Sequence, residues 1–174
     1  MPLWLDYDAK KSLGGDMQKS IIILSLLLSL SIGQDYSLHF DGDGDYVDFG
    51  NIEIGNLNDA TIQLWIKTDA PSGSNHHTLL NKDCDGCEFQ TGDWAILLGN
   101  NSTNGNISFS AVNSSGQGAV ISEPINDGLW HFISVTRDSQ TGEINMYIDG
   151  TLVDSSYGPT GLVHNNNNLH FAKY

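Results

Sequence analysis

GLWHFISVTRDSQTGEINMYIDGTLV, residues Gly128 to Val153, is the stretch that decides how this chain folds. Ile144, Met146 and Ile148 alternate with Asn145, Tyr147 and Asp149, the period of two imposed by a strand with one buried face. The pattern predicts two long strands, Leu129–Arg137 and Glu143–Ile148, and a third at Thr151–Val153. Asp149-Gly150 between the last two is a two-residue hairpin turn, since both positions need positive φ and Asp and Gly tolerate it. The polar run Asp138-Ser139-Gln140-Thr141-Gly142 makes a looser hairpin loop ending in glycine. The product is a β-meander, and nothing in it looks catalytic.

Upstream the same alternation recurs. Ser37-Leu38-His39-Phe40 predicts a first strand with Leu38 and Phe40 on one face, and Asp41–Asp45 turns the chain into Tyr46–Phe49. Ala60–Thr68 directs Ile62, Leu64 and Ile66 inward against Gln63, Trp65 and Lys67. Further strands are expected at Thr78–Lys82, Trp94–Leu98, Ile107–Ala111, Ala119–Ser122 and, after an asparagine run at Asn165–Asn168, Leu169–Ala172. About ten short strands separated by turns, with no helical period, predict an all-β antiparallel sandwich.

Leu129-Trp130-His131-Phe132 with Ser134-Val135-Thr136, followed by Met146-Tyr147-Ile148-Asp149-Gly150, resembles the closing pattern of the laminin-G-like (concanavalin A-like) jelly roll. Phe40-Asp41-Gly42 with Asp45-Tyr46-Val47 is similar to that family's opening, and Thr61–Lys67 to its second strand. The resemblance covers about residues 36 to 174 and implies a two-sheet antiparallel jelly roll. It also implies a last strand beside the first, which this sequence does not supply after Leu169–Ala172. The jelly roll is therefore expected to lack that strand, or to receive it from elsewhere.

The chain has 174 residues, 39% hydrophobic and 16% charged, enough for one domain with a real core. Its 21 acidic against 7 basic residues give a formal charge of -14, which repels phosphate backbones and argues against nucleic acid as a partner. Ahead of the domain, Lys19 precedes an apolar run, Ser20–Ile32, that ends in small residues before Gln34. Residues 17–33 read as a secretory signal peptide, with cleavage expected after Gly33. An uncleaved anchor and a buried core helix are the alternatives. Residues 1–16 read as an upstream extension, disordered or removed, and 34–174 as the laminin-G-like domain. The expected location is secreted or cell-surface, with the membrane met only through the signal segment if it stays uncleaved.

Three groups of residues invite chemistry. Asp41, Asp43 and Asp45 alternate on a glycine turn, and carboxylates so placed can converge on calcium, which takes six to eight oxygens. The run is not an EF-hand, because Tyr46 stands at the required glycine and Ile52 at the bidentate glutamate; plain turn formation is the other reading. Cys84-Asp85-Gly86-Cys87 reads as a disulfide in an exported chain, with a mixed zinc site using His76 and His77 as the alternative. Trp65 and Tyr147 fall opposite the apolar sets of their strands and are candidates for stacking on a sugar, a role open also to Trp94, Trp130 and Tyr157. The loops Ser72–His77, Asn100–Asn106 and Asn165–Asn168 are polar enough to form a rim, and Asn100, Asn101, Asn106 and Asn113 each begin a glycosylation sequon.

Catalysis finds no foothold. The glutamates Glu53, Glu88, Glu123 and Glu143 open none of the paired-carboxylate motifs of laminarinase-type jelly rolls, and no G-x-S-x-G or H-E-x-x-H occurs. In the family that this chain resembles, His131 is a structural position. The sequence thus points to a non-catalytic binding or adhesion module for glycan or extracellular protein, with calcium as a candidate cofactor. A structural domain of a larger surface protein is the second reading, and a degenerate glycoside hydrolase the third.

Overall fold

The computed structural model describes residues 37–41, 44–69, 77–83, 89–100 and 103–173. Residues 17–33, expected to be a signal peptide, and Asp43, Cys84 and Cys87 lie outside the described residues. Ten strands occur among those described: β1 (Val47–Asp48), β2 (Ala60–Lys67), β3 (His77–Lys82), β4 (Trp94–Asn100), β5 (Thr103–Asn113), β6 (Gly116–Pro124), β7 (Trp130–Arg137), β8 (Glu143–Ile148), β9 (Thr151–Tyr157) and β10 (His170–Phe171). They form two antiparallel sheets, a large one ordered β1-β10-β3-β4-β5-β6 and a small one ordered β2-β7-β8-β9. Among the described residues no helix is long and apolar enough to cross a membrane.

Alternation decides which side chains fill the space between the sheets. Ile96, Phe109 and Val120 stand in one row of the large sheet, and Ile133, Val135, Ile144 and Met146 face them from the small one, all fully buried. Ile62, Leu64 and Ile66 join this core from β2, as their spacing predicts. Asp149 and Gly150 both take positive φ (52° and 79°), which matches the right-handed twist of the strands that the turn joins.

Two edges of the sandwich meet where glycine permits it. β6 ends the large sheet and β9 ends the small one. A Cβ on Gly118 would lie 2.3 Å from the Gly158 Cα, so any side chain there would force the backbones apart. Nearby the Asp154 carboxylate accepts the Ile121 N–H across the same seam at 2.8 Å, which masks one edge amide from foreign strands.

Two expectations need correction. Ser37–Phe40 forms no strand: Leu38 is exposed, and Phe40 instead sets its ring against Phe171, 5.4 Å between centroids. The alternation there has no neighbouring backbone to pair with among the described residues, and an unpaired strand is not stable. The third strand of the meander is longer than expected, running to Tyr157 with a bulge opposite Met146/Tyr147. The extra residue hides the period of two in Asp154-Ser155-Ser156.

Arg137, at the end of β7, is buried and turned toward the core side of its sheet. Its guanidinium donates to the carbonyls of Leu57, Asn58, Pro159 and Gly161 at 2.6–3.2 Å. Burial lowers its pKa, opposed by the charges of Asp59 and Asp138. Arg137→Lys supplies a point charge where four carbonyls need a fork, so it should lower stability by about 3 kcal/mol. Urea unfolding of the two proteins checks this, and equal midpoints would show that the carbonyls find other donors.

Candidate binding face and its neighbourhood

The outer face of the small sheet is open, and it carries the aromatic residues that alternation turns away from the core. Trp65 on β2 pairs with Phe132 on β7, and their rings lie 5.1 Å apart at a tilt of 42°. Trp65 is 62% exposed. One row along, Gln63, Ser134, Tyr147 and Leu152 cross all the strands of the sheet, with the Gln63 amide donating to the Ser134 hydroxyl. Strand spacing and rise set the Trp65 and Tyr147 Cα atoms roughly 12 Å apart. Both sequence candidates therefore share one face, as do Trp130 and Tyr157, whereas Trp94 is core and donates its indole N–H to the Gly55 carbonyl at 2.7 Å.

Beyond Tyr147 the face sinks into a polar depression of about 310 Å³. Thr61, Thr136 and Asn145, aligned across three strands, form its floor, and Asp59, Asp138 and Glu143 its rim. The Ser139 hydroxyl and N–H donate to Asp59 and lower its pKa. The Thr141 and Gln140 amides do the same for Asp138. Both carboxylates are thus ionised at neutral pH, which suits accepting hydroxyl protons and does not suit general-acid catalysis. Sequence reasoning missed Phe132 and this depression. The period of two that exposed Trp65 also places Phe132 and Thr136 outward, but Asp59 and Asp138 come to the rim through loops, where no period applies.

The other sequence candidates stand elsewhere. Asp41 and Asp45 precede β1; among the described residues no group of three or more His, Cys, Asp or Glu is placed to hold a metal ion. The Asn165–Asn168 run is a brace and not an open rim. The Asn165 amide donates to the carbonyls of Lys82 and Gly92 and to Asp93, and the Asn167 carbonyl accepts the buried Lys82 ammonium together with Asn51. Asn106 is buried, and the Asn113 amide holds the Thr160 and Leu162 carbonyls, so neither of these sequons presents a free side-chain nitrogen in the folded chain.

His131 lies between two carboxylates at one end of the sandwich. Its Nδ1 is 2.8 Å from Asp149 and its Nε2 3.1 Å from Asp127. The Asp149 bond, with Asp127 adding to it, raises the imidazole pKa above 6.5. The Phe132 N–H lowers Asp149, the Leu129 N–H lowers Asp127, and His131 lowers both further. These side chains lock the β8–β9 turn and the loop into β7, which is a structural task.

A family profile described as the concanavalin A-like lectin/glucanases superfamily, of laminin G type, matches residues 41–173. The chain belongs to that superfamily. No curated protein matches it significantly. Among solved structures it is similar to laminin G domains 4–5 of the mouse laminin α1 chain, with 18% identity and a TM-score of 0.51, over 76% of this chain and 30% of that one. It is also similar to the carbohydrate-binding module of a Ruminococcus gnavus sialidase solved with α2,3-sialyllactose, with 14% identity and a TM-score of 0.54, over 74% of this chain and 72% of that one. At such identities these likenesses show the fold. This chain spans 30% of the length of the laminin chain.

The histidine bridge generates a pH dependence. A raised imidazole pKa contributes stability that is complete below about 6.5 and is lost as pH rises through the folded value. The lowered aspartates contribute stability that is present above about 3.8 and is lost as pH falls through their folded values. The thermal midpoint should therefore be higher at pH 5.5 than at pH 8.5 (roughly one pH unit below and two above the free imidazole value). His131→Gln should remove that difference. An unchanged slope in the variant would assign the pH dependence to other groups.

Proposed function

We propose that this chain is an exported, non-catalytic binding or adhesion module that holds a glycan against the outer face of its small sheet. The observation that carries the reading is Trp65, 62% exposed on the outer face of the small sheet, braced by Phe132 and sharing that face with the exposed Trp130 and Tyr157. A large aromatic ring held open to water on a rigid strand is costly unless something covers it, and the apolar face of a sugar ring is a good cover. Tyr147 stands on the same face, and the depression beyond it offers Asn145 and the ionised Asp59 and Asp138 as partners for hydroxyls. The carboxylates there repel acidic sugars, so the reading is of a neutral glycan. Membership of a superfamily that contains lectins supports it. Export rests on the apolar run after Lys19, and the absence of catalysis on carboxylates held ionised where a proton donor would be needed.

Electrophoresis through gels containing neutral polysaccharides tests this reading. The wild type should be retarded by at least one of them, and Trp65→Ala should lose about 1–3 kcal/mol of binding while keeping a cooperative melt. Tyr147→Ala should weaken binding less, since that ring is partly packed against the sheet. Passage through every gel with an intact fold would instead favour a structural domain of a larger surface protein.

Calcium belongs to the same proposal, with Asp41, Asp43 and Asp45, in the segment ahead of β1, as its oxygen ligands. Metal that binds only the folded state stabilises it, by about 2.7 kcal/mol at a hundredfold excess over Kd. The thermal midpoint should rise from EDTA to millimolar calcium and should not rise in Asp45→Ala. A midpoint indifferent to calcium would leave these aspartates as turn formers.

A further inference from the structure

On the outer face of the large sheet, two polar atoms on neighbouring strands go unanswered among the described residues. Asp48, His170, Asn81 and Ala95 stand in register on neighbouring strands and point away from the core, since the adjoining row, Phe171, Leu80 and Ile96, points into it. Asn81 and His170 are 4% and 5% exposed. Yet neither Asn81 Oδ1 nor His170 Nδ1 has a hydrogen-bond partner among the described residues. Native folds rarely leave such atoms unmet, and two on cross-strand neighbours mark one place.

Their chemistry is complementary. The Asn81 amide nitrogen donates to Asp83, which leaves Oδ1 as a bare acceptor. His170 Nε2 lies 3.3 Å from the Lys173 ammonium and 3.8 Å from Asp48. An ammonium can only donate, so a neutral ring accepts at Nε2 and carries its proton on Nδ1; a charged ring has a proton there as well. The orphaned nitrogen is a donor in either state. Cross-strand partners hold a donor and an acceptor about 5 Å apart at Cβ. A bare anion has nothing to give Asn81 Oδ1, and an ammonium is repelled by Lys173. Neighbouring hydroxyls, each both donor and acceptor, fit the pair.

The surroundings are also furnished. Tyr46, 51% exposed, sets its ring edge-on to His170 with centroids 6.1 Å apart, and the Asp48 side chain is 42% exposed. The Lys173 ammonium lies 5.4 Å from the centroid of the Tyr46 ring.

We propose that Asn81 and His170 form a second subsite, on the opposite side of the sandwich from Trp65, that takes a pair of sugar or polyol hydroxyls, with the more exposed Tyr46 and Asp48 beside His170. It shares a ligand class with the reading above but none of its residues. The test is a titration of the isotope-labelled full chain with methyl β-glucoside and with myo-inositol, following the Asn81 side-chain amide and the His170 ring nitrogens by NMR. At least one probe should shift both side chains saturably, with the response unchanged in Trp65→Ala and about tenfold weaker in Asn81→Leu or His170→Phe. No shift at either side chain up to the solubility limit of both probes would overturn the subsite, and this arm needs only the wild type. A response that survives Asn81→Leu at full strength would overturn it too. If Asn81 and His170 respond while the Trp65 face retains no polysaccharide, the subsite stands and only the earlier reading fails.

Discussion

The guanidinium of Arg137 is the interaction on which the rest of the architecture depends. It takes a permanent charge out of water at the end of a central strand, where isolated burial would be prohibitive. What makes it tolerable is a ring of carbonyls from two distant segments, 57–58 and 159–161, each a loop with no sheet of its own to satisfy it. The Leu57–Val163 bridge joins the same two stretches, and the Asn113 amide ties the second of them to β5 through the Thr160 and Leu162 carbonyls. One side chain thus answers loop backbone that would otherwise be unpaired and closes the end of the sandwich. The carboxylates at the rim of the depression, Asp59 and Asp138, flank this closure, so the geometry of the candidate face rests on it.

Much of this was legible in the sequence wherever a period of two ran uninterrupted. Ile62, Leu64 and Ile66 lie inward and Trp65 outward because alternation admits no other choice, and Asp149-Gly150 turns because few other dipeptides accept its φ angles. Glu143–Ile148 has the bounds that alternation predicts. Legibility failed where long-range partners decide. Nothing local distinguishes the Leu38-His39-Phe40 alternation from a true strand; only the lack of an adjacent backbone among the described residues does. Lys82 sits at a position where a lysine should seek solvent, yet its ammonium is captured by Asn51 and the Asn167 carbonyl, residues 31 and 85 positions away. The asparagine run looked like a rim for the same reason, because its acceptors are invisible until the fold brings them near.

The candidate site divides in the same way. Trp65 and Tyr147 were found because outward residues on a strand announce themselves by parity. Phe132 obeys the same parity but adjoins His131, and the motif around that histidine drew the reading toward structure. The calcium and disulfide readings rest on spacing alone. Of the calcium triad only Asp41 and Asp45 fall among the described residues, and the cysteine pair does not.

The two outer faces differ in how they leave an interaction unmet, and that difference bears on what each can do. On the small sheet the cost is apolar: a tryptophan held in water, which any flat apolar surface of suitable size relieves with little directional demand. On the large sheet the cost is polar: an acceptor and a donor out of water, which only a group of matching direction relieves. The first kind of surface contributes affinity and tolerates many partners, whereas the second discriminates among them. The covalent order of the chain places the two faces back to back, since Trp65 and Asn81 both sit opposite inward-pointing neighbours, Leu64 and Leu80, that meet in the same core. A rigid sandwich is therefore suited to hold two unlike contacts at a fixed separation, which is a property useful to adhesion and unnecessary for catalysis.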